Sequence, residues 1–401
     1  MLIHWIWYAM LPKFSLVQKL ALLERFSDPE DIYNTQRFDR FEDITPEAAE
    51  TLENKDLTQA KQVVKTCAEK QLGILTIRDA AYPSRLRNIA DPPLVLYYKG
   101  RLPDFEQQPV VAVVGTRKAS TYGMNNARSM SRQIAACGGL VISGGAYGVD
   151  TAALRGALET GARTVAVLGC GADVVYPKTN RELFERIAEK GCLLSEYLPG
   201  TQAMPWQFPE RNRILSGLSD GVLVVEAPEK SGALITARDA LEQGRDVFVV
   251  PGNIDVATCA GSNALLQDGA AAVFSGWDVL KDYASQYPDT VQKRETAYFP
   301  DRNVSQVKVA QATKLPKLPP ESDKKDIDKK NTNDYSVFDN SNCQLSEQER
   351  KILSCLERTP RPVDEVIAQT GMPAAQVLQI LTKLALIGVV MNHPGRLVSA
   401  I

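Results

Sequence analysis

Between residues 109 and 285, short apolar runs alternate with longer stretches whose apolar positions recur every three or four residues. The runs are Val110–Val114, Leu140–Ser143, Thr164–Leu168, Cys192–Ser195, Val222–Glu226, Val247–Val250 and Ala271–Phe274. Several hold β-branched residues at consecutive positions, as strands of a parallel sheet covered on both faces do. The helical stretches are Tyr122–Cys137, Val149–Thr160, Asn180–Lys190, Arg211–Leu218, Thr236–Gln243 and Ser262–Gln267. Alternation at this spacing predicts a doubly wound, mostly parallel α/β sheet.

The flanking regions follow other patterns. Over 1–72 the chain reads as helical: Leu16, Leu20, Leu22, Leu23 and Phe26 share one helical face, and Ser27-Asp28-Pro29-Glu30 is a helix start. Thr45-Pro46-Glu47 and Asp56-Leu57 open two further helical stretches. The apolar run from Met1 to Leu11 reads as a segment buried on this first domain. It has no basic flank or cleavage site and is too short to cross a bilayer. Residues 73–108 form a lead-in of short strands and turns to the sheet, so the central domain spans 73–285. Residues 286–343 combine Lys314-Leu315-Pro316-Lys317-Leu318-Pro319-Pro320 with a charge-dense run, and predict a disordered linker. Pattern returns over 344–401, where three short helices and a hairpin predict a winged helix.

Composition narrows the chemistry. The 401 residues are 44% hydrophobic and 23% charged, as in ordinary globular domains. The formal charge is −2, so no global basic field points to a nucleic acid, and any cationic surface is local. Seven scattered cysteines without a C-x-x-C pair fit a reducing cytoplasm and argue against a metal site. The two histidines, His4 and His393, lie at opposite ends of the chain, which disfavours a zinc site or a Ser-His-Asp triad in the centre.

Ligands of open parallel sheets bind at the carboxyl ends of the strands, near the switch in strand order. Five segments fall there: Gly115–Ser120, Ser143–Asp150, Gly169–Asn180, Phe208–Arg213 and Ser231–Thr236. In the second, glycines before a helix let backbone N–H groups approach an anion that the helix amino terminus also attracts. Cations gather on the same segments: Arg117, Lys118, Lys178, Arg211 and Arg213. No acid occurs between Glu106 and Asp150, whereas Arg117, Lys118, Arg128 and Arg132 lie in that span. Arg128 and Arg132 read as ordinary helix surface, and Asp150 as a helix-start residue. There is no G-x-G-x-x-G in the first loop, no P-loop, no carboxylate pair and no nucleophile elbow.

These residues, taken together, resemble the DNA-processing protein A family. The resemblance rests on Tyr82-Pro83, Asp91-Pro92-Pro93, Val114-Gly115-Thr116-Arg117, Ser143-Gly144-Gly145-Ala146-Tyr147-Gly148-Val149-Asp150 and Tyr176-Pro177-Lys178-Thr179-Asn180. It continues through Ser195-Glu196-Tyr197, Phe208-Pro209-Glu210-Arg211-Asn212-Arg213-Ile214, Ser231-Gly232 with Thr236, and Gly244-Arg245-Asp246-Val247-Phe248. It implies a Rossmann-like core that binds single-stranded DNA and dimerises, a sterile-alpha-motif-like (SAM-like) domain before it and a winged helix after it. It implies no catalysis and no cofactor: such proteins protect incoming strands in natural transformation and help load RecA. By position, Arg117, with Lys118 beside it, and Lys178 are implied as phosphate contacts. Ser143, Gly144, Gly145 and Gly148 are implied as a backbone cradle, and Arg211, Asn212 and Arg213 as the opposite wall.

Two alternatives compete. A phosphoribohydrolase-like enzyme would use Asp239 as its acid, but the glycine pattern over Pro228–Thr236 is broken. A winged-helix regulator with a nucleotide-sensing Rossmann core would read duplex DNA through the third helix, yet that helix offers only Gln376, Gln379 and Lys383. A protein-interaction or weak DNA-contact role fits that module better. Tyr147, Tyr176 and Trp206 are candidate base-stacking residues, with core packing the expected fate of at least one.

Overall fold

The computed structural model describes residues 1–36, 38, 44–294, 346–357, 359, 361–386, 389–393 and 397–400. The chain divides into two compact units, 1–307 and 308–401.

The first unit opens with five helices: α1 (Leu2–Met10), α2 (Leu16–Phe26), α3 (Pro29–Asn34), α4 (Pro46–Glu53) and α5 (Thr58–Glu69). Their starts are written locally. Ser15, Asp28 and Thr45 each accept a backbone N–H of the turn they precede, and Pro29 and Pro46 sit in first turns, where their missing N–H costs nothing. The run from Met1 to Leu11 is α1, and its Trp5, Ile6, Trp7 and Tyr8 are buried.

The lead-in forms β1 (Leu72–Thr76), the short α6 (Ser84–Arg87) and β2 (Val95–Gly100). The alternating core follows as β3 (Val110–Val114), α7 (Thr121–Ala136), β4 (Leu140–Ser143), α8 (Val149–Glu159), β5 (Thr164–Val167), α9 (Arg181–Lys190), β6 (Cys192–Ser195) and α10 (Gln207–Leu218). It ends with β7 (Gly221–Val224), α11 (Gly232–Glu242), β8 (Asp246–Val249), α12 (Ala260–Gln267), β9 (Ala271–Ala272) and α13 (Gly276–Leu280).

All nine strands join one sheet in the order β1-β2-β6-β5-β4-β3-β7-β8-β9. Pairing is parallel from β6 through β9, and β1 and β2 add antiparallel at the β6 edge. The order reverses at β3, which pairs with β4 on one side (Val110↔Leu140) and β7 on the other (Val114↔Val224). The side chains of β3 are buried on both faces, which is why its valines run consecutively rather than alternate. The doubly wound sheet is therefore as the pattern predicts.

The linker expected over 286–343 lies outside the described residues from 295 onward. Its first residues pack on the core instead: Val291 is buried, Gln292 N–H donates to the Cys137 carbonyl (3.0 Å) and Thr290 Oγ1 to that of Gln107 (2.9 Å). Tyr287 and Val291 supply apolar contacts that the average polarity of the segment conceals.

In the second unit, α14 (Glu347–Leu353), β10 (Arg361–Pro362), α15 (Val363–Thr370), α16 (Ala374–Leu386), β11 (Val390–His393) and β12 (Leu397–Ala400) form a winged helix. Its sheet has three strands, β10-β12-β11, rather than a bare hairpin. Two polar groups of α16 are engaged within the unit: Lys383 Nζ lies 2.6 Å from Glu349 Oε1, and Gln376 donates to Gln348 (3.1 Å). Lys383, with Ser346, holds the Glu349 carboxyl down to about 2. Among the described residues, no helix is long and apolar enough to cross a membrane.

Candidate nucleic-acid interface

At the carboxyl ends of β3 and β7, where the strand order reverses, lies an open cleft of about 410 Å³. The loop after β3 contributes Arg117 and Lys118, the loop after β4 contributes Ala146, and the first turn of α8 contributes Asp150. Helix α10 contributes Phe208, Arg211 and Asn212, and the start of α11 the opposite lip. The sheet thus gathers residues more than a hundred positions apart, at the place open α/β sheets reserve for ligands.

Arg117 is exposed and its guanidinium lies 4.6 Å above the Phe208 ring, a cation–π contact worth about 0.5–1 kcal/mol at an exposed site. The Tyr176 ring stands 5.5 Å from Phe208. A row of flat groups therefore runs from Arg117 through Phe208 to Tyr176, two residues before the exposed Lys178. Lys178 itself does not line the cleft. It belongs to a turn tied to the glycine loop by Asn180, whose Nδ2 donates to the Gly145 carbonyl (3.1 Å) and Thr151 Oγ1 (2.7 Å). Neither Arg117, Lys118 nor Lys178 has a carboxylate partner among the described residues, so all three are open to an external anion.

The glycine loop is built around two buried groups of opposite charge. Arg211 and Asp150 are 3% and 6% exposed. Arg211 Nη1 donates to the Val167 carbonyl, and Asp150 Oδ2 accepts the Ala146 N–H (3.2 Å). Burial pushes the Asp150 carboxyl up and the Arg211 guanidinium down, and each is opposed by the other's charge. A side chain at Gly144 would collide with both groups. Gly148 has φ +74° because the Thr116 carbonyl passes against it, closer than a Cβ would allow. Gly145 also has positive φ, +67°. These glycines admit the packing of neighbouring loops, whatever else their N–H groups do.

Several expectations need correction. The Ser143 hydroxyl is fully buried and donates to the Val113 carbonyl (2.7 Å), which leaves only its backbone for the expected cradle. Arg211 lines the cleft, but as a buried group whose Nη1 is engaged by the Val167 carbonyl. Asn212 lines it too, with Nδ2 on the Gly232 carbonyl (3.2 Å). Arg213 leaves the cleft: it pairs with Glu196 (2.7 Å) and Asp91 (2.7 Å) on the other side of α10. The cause is the helix start. Pro209 reads as a loop residue, yet it sits in the first turn of α10, so Arg211 and Arg213 are helical and about 200° apart. Tyr147, Tyr176 and Trp206 are 47%, 39% and 56% exposed, and none is core. Asp239 lies in a second cleft of about 610 Å³ with Asp91, Glu196, Glu210, Glu242 and Arg213, away from Arg117 and Lys118. Phe208 is the main site residue missed. Its spacing of three from Arg211 places both on one helical face, a signal the sequence does carry.

The fold and cleft define a doubly wound, Rossmann-like core with a cationic switch-point cleft, in a chain that also carries a winged helix. The family model described as DNA recombination-mediator protein A matches residues 73–284, and that of the DprA winged helix domain matches 338–396. The chain is 36% identical over 345 residues to Protein Smf of Synechocystis sp., covering 83% of this chain and 81% of that one. It is 46% identical over 210 residues to DNA processing protein DprA of Streptococcus pneumoniae, covering 52% of this chain and 73% of that one. The X-ray structure of DNA processing protein A (DprA) from Streptococcus pneumoniae matches it with TM-score 0.59 at 35% identity, over 70% of this chain and 98% of that one. The chain belongs to the DNA-processing protein A (DprA/Smf) family.

Proposed function

We propose that this protein is a non-catalytic recombination mediator that binds single-stranded DNA along the switch-point cleft. In this reading it protects incoming strands in natural transformation, acts in the cytoplasm as a homodimer, and promotes RecA loading. The observation that carries the reading is the row Arg117–Phe208–Tyr176 beside Lys118 and Lys178: unpaired cations interleaved with aromatic faces. Single strands are held by such an alternation, since cations track phosphates while exposed bases stack. Arg117, Lys118 and Lys178 are the phosphate contacts, the Gly144–Gly148 loop lies beneath the strand, and Tyr147 and Trp206 are further stacking faces. Membership of a family described as DNA recombination mediators supports the same assignment.

The phosphoribohydrolase-like alternative loses its acid, because Asp239 lies among carboxylates in the other cleft. The duplex-reading alternative finds Lys383 and Gln376 of α16 already engaged.

The test is fluorescence anisotropy with labelled single-stranded and duplex oligonucleotides across a salt series. Single strands bind tighter, and Arg117→Ala and Lys178→Ala each weaken binding and flatten the salt slope by about 0.7. Equal or tighter duplex binding overturns the reading.

A further inference from the structure

Lys178 is exposed, yet the turn that carries it is fixed from below. Lys178 and Thr179 stand exposed between the buried Pro177 and Asn180. The Asn180 N–H donates to the Pro177 carbonyl (3.0 Å) and closes the turn. The Asn180 side chain, 2% exposed, reaches out of the turn instead of into solvent. Its Nδ2 donates to the Gly145 carbonyl (3.1 Å) and to the Thr151 hydroxyl (2.7 Å), and that hydroxyl donates to the Ala146 carbonyl (2.7 Å). One amide therefore ties together three pieces of chain: the Lys178 turn, the glycine loop after β4 and the first turn of α8.

Nothing else regular fixes this turn. Between the end of β5 at Val167 and the start of α9 at Arg181, the only regular element is the turn Lys178–Asn180 itself. The sheet ladder thus does not set where Lys178 stands. The turn leads into α9, and the same glycine loop rests on that helix too: a Cβ at Gly145 would press on the buried Phe184 ring. Asn180 and Phe184 are four positions apart, so the polar tie and the apolar contact fall on one side of the chain. A cation on a fixed turn meets a phosphate without first losing the freedom of a loop, which is the gain of preorganisation.

We infer that Asn180 is a positioning residue of the strand site: it holds the Lys178 turn in register with the glycine loop, so that Lys178 and Arg117 meet one strand together. This deepens the single-strand reading and rests on it. Asn180 is enclosed and touches no nucleotide itself; it acts through Lys178.

The experiment uses the full chain and a labelled dT12 in anisotropy across a salt series. The variants are Asn180→Ala, Thr151→Val, Lys178→Ala, Arg117→Ala and the double variant Asn180→Ala with Lys178→Ala, each checked for cooperative unfolding in urea. Asn180→Ala is expected to weaken dT12 about tenfold, the loss of one contact to a charged group, and to flatten the salt slope by about 0.7, as Lys178→Ala does. The double variant binds no worse than Lys178→Ala, because the lysine that Asn180 places is already gone. Thr151→Val removes the far end of the tie and moves affinity and slope in the same direction by less. An asparagine that only supports the fold lowers the urea midpoint and leaves the affinity and slope of the folded protein at wild-type values. That result, with Lys178→Ala weakened, overturns the positioning role and leaves the strand reading standing. So does a double variant in which the two losses multiply. Should Asn180→Ala fail to fold, Thr151→Val decides on the same two readouts. Wild-type binding by Lys178→Ala and Arg117→Ala alike overturns the strand reading, and this inference with it.

Discussion

Two clefts flank α10, and they carry opposite charge. On the Arg211 side, Arg117, Lys118 and Lys230 border a cleft in which Asp150 is the single lining carboxylate, buried and opposed by the Arg211 charge. On the Arg213 side, Asp91, Glu196, Glu210, Asp239 and Glu242 surround one arginine that two of them consume. About half a turn of helix thus separates a surface that attracts a polyanion from one that repels it. A cationic residue type says little about nucleic-acid binding until it is known which carboxylates reach it. The same holds in the winged helix, where Lys383 of the third helix is met by Glu349.

The sharpest way to break this comparison is to unpair the buried arginine. Arg211→Met leaves Asp150 buried without its counter-charge and is expected to lower stability by about 3–5 kcal/mol in urea unfolding. An unchanged midpoint means that the pair is not what holds the glycine loop. Next in size, Arg117→Glu removes a charge-assisted contact and adds repulsion, so single-strand affinity falls about 100-fold at low salt. Anisotropy with dT12 reads this directly, and a loss of twofold or less removes Arg117 from the strand's path. Phe208→Ala deletes the middle of the aromatic row; one lost base stack weakens binding about tenfold with the salt slope unchanged. A flattened slope would show that Phe208 acts only by holding Arg117.

The smallest effects belong to the acidic cleft. Arg213→Ala and Asp239→Asn leave strand affinity within about twofold, because neither borders the strand's phosphates. Asp239 differs in its pH behaviour. Burial, with Glu242 and Asp91 nearby, raises its folded-state pKa above the unfolded value. The folded state then binds the proton more tightly, so this group's contribution to stability falls as pH rises through the window from the unfolded to the folded value. Asp239→Asn should therefore unfold at higher urea than wild type at pH 7, with the difference vanishing as pH drops below the ordinary carboxylate range. A difference that persists there assigns the effect to something other than ionisation.

Much of the architecture was written locally. Val110–Val114 and the other apolar runs are strands because both faces of the sheet are covered. Ser15, Asp28 and Thr45 start helices because their side chains reach orphan N–H groups one turn ahead. The acid-free span from 107 to 149, with Arg117 and Lys118 inside it, is a property of the chain alone, and both residues do reach the cleft. What local pattern does not carry is direction. Arg211 and Arg213 look equivalent in a string, and their roles part only because α10 begins at Gln207 and turns 100° per residue. The Asp150–Arg211 pair joins residues 61 positions apart, and Glu226 meets Ser120 across 106. Whether a charge is spent or free depends on such long-range neighbours. Charge interaction depends on distance in space, and the sheet alone decides which distant residues become neighbours.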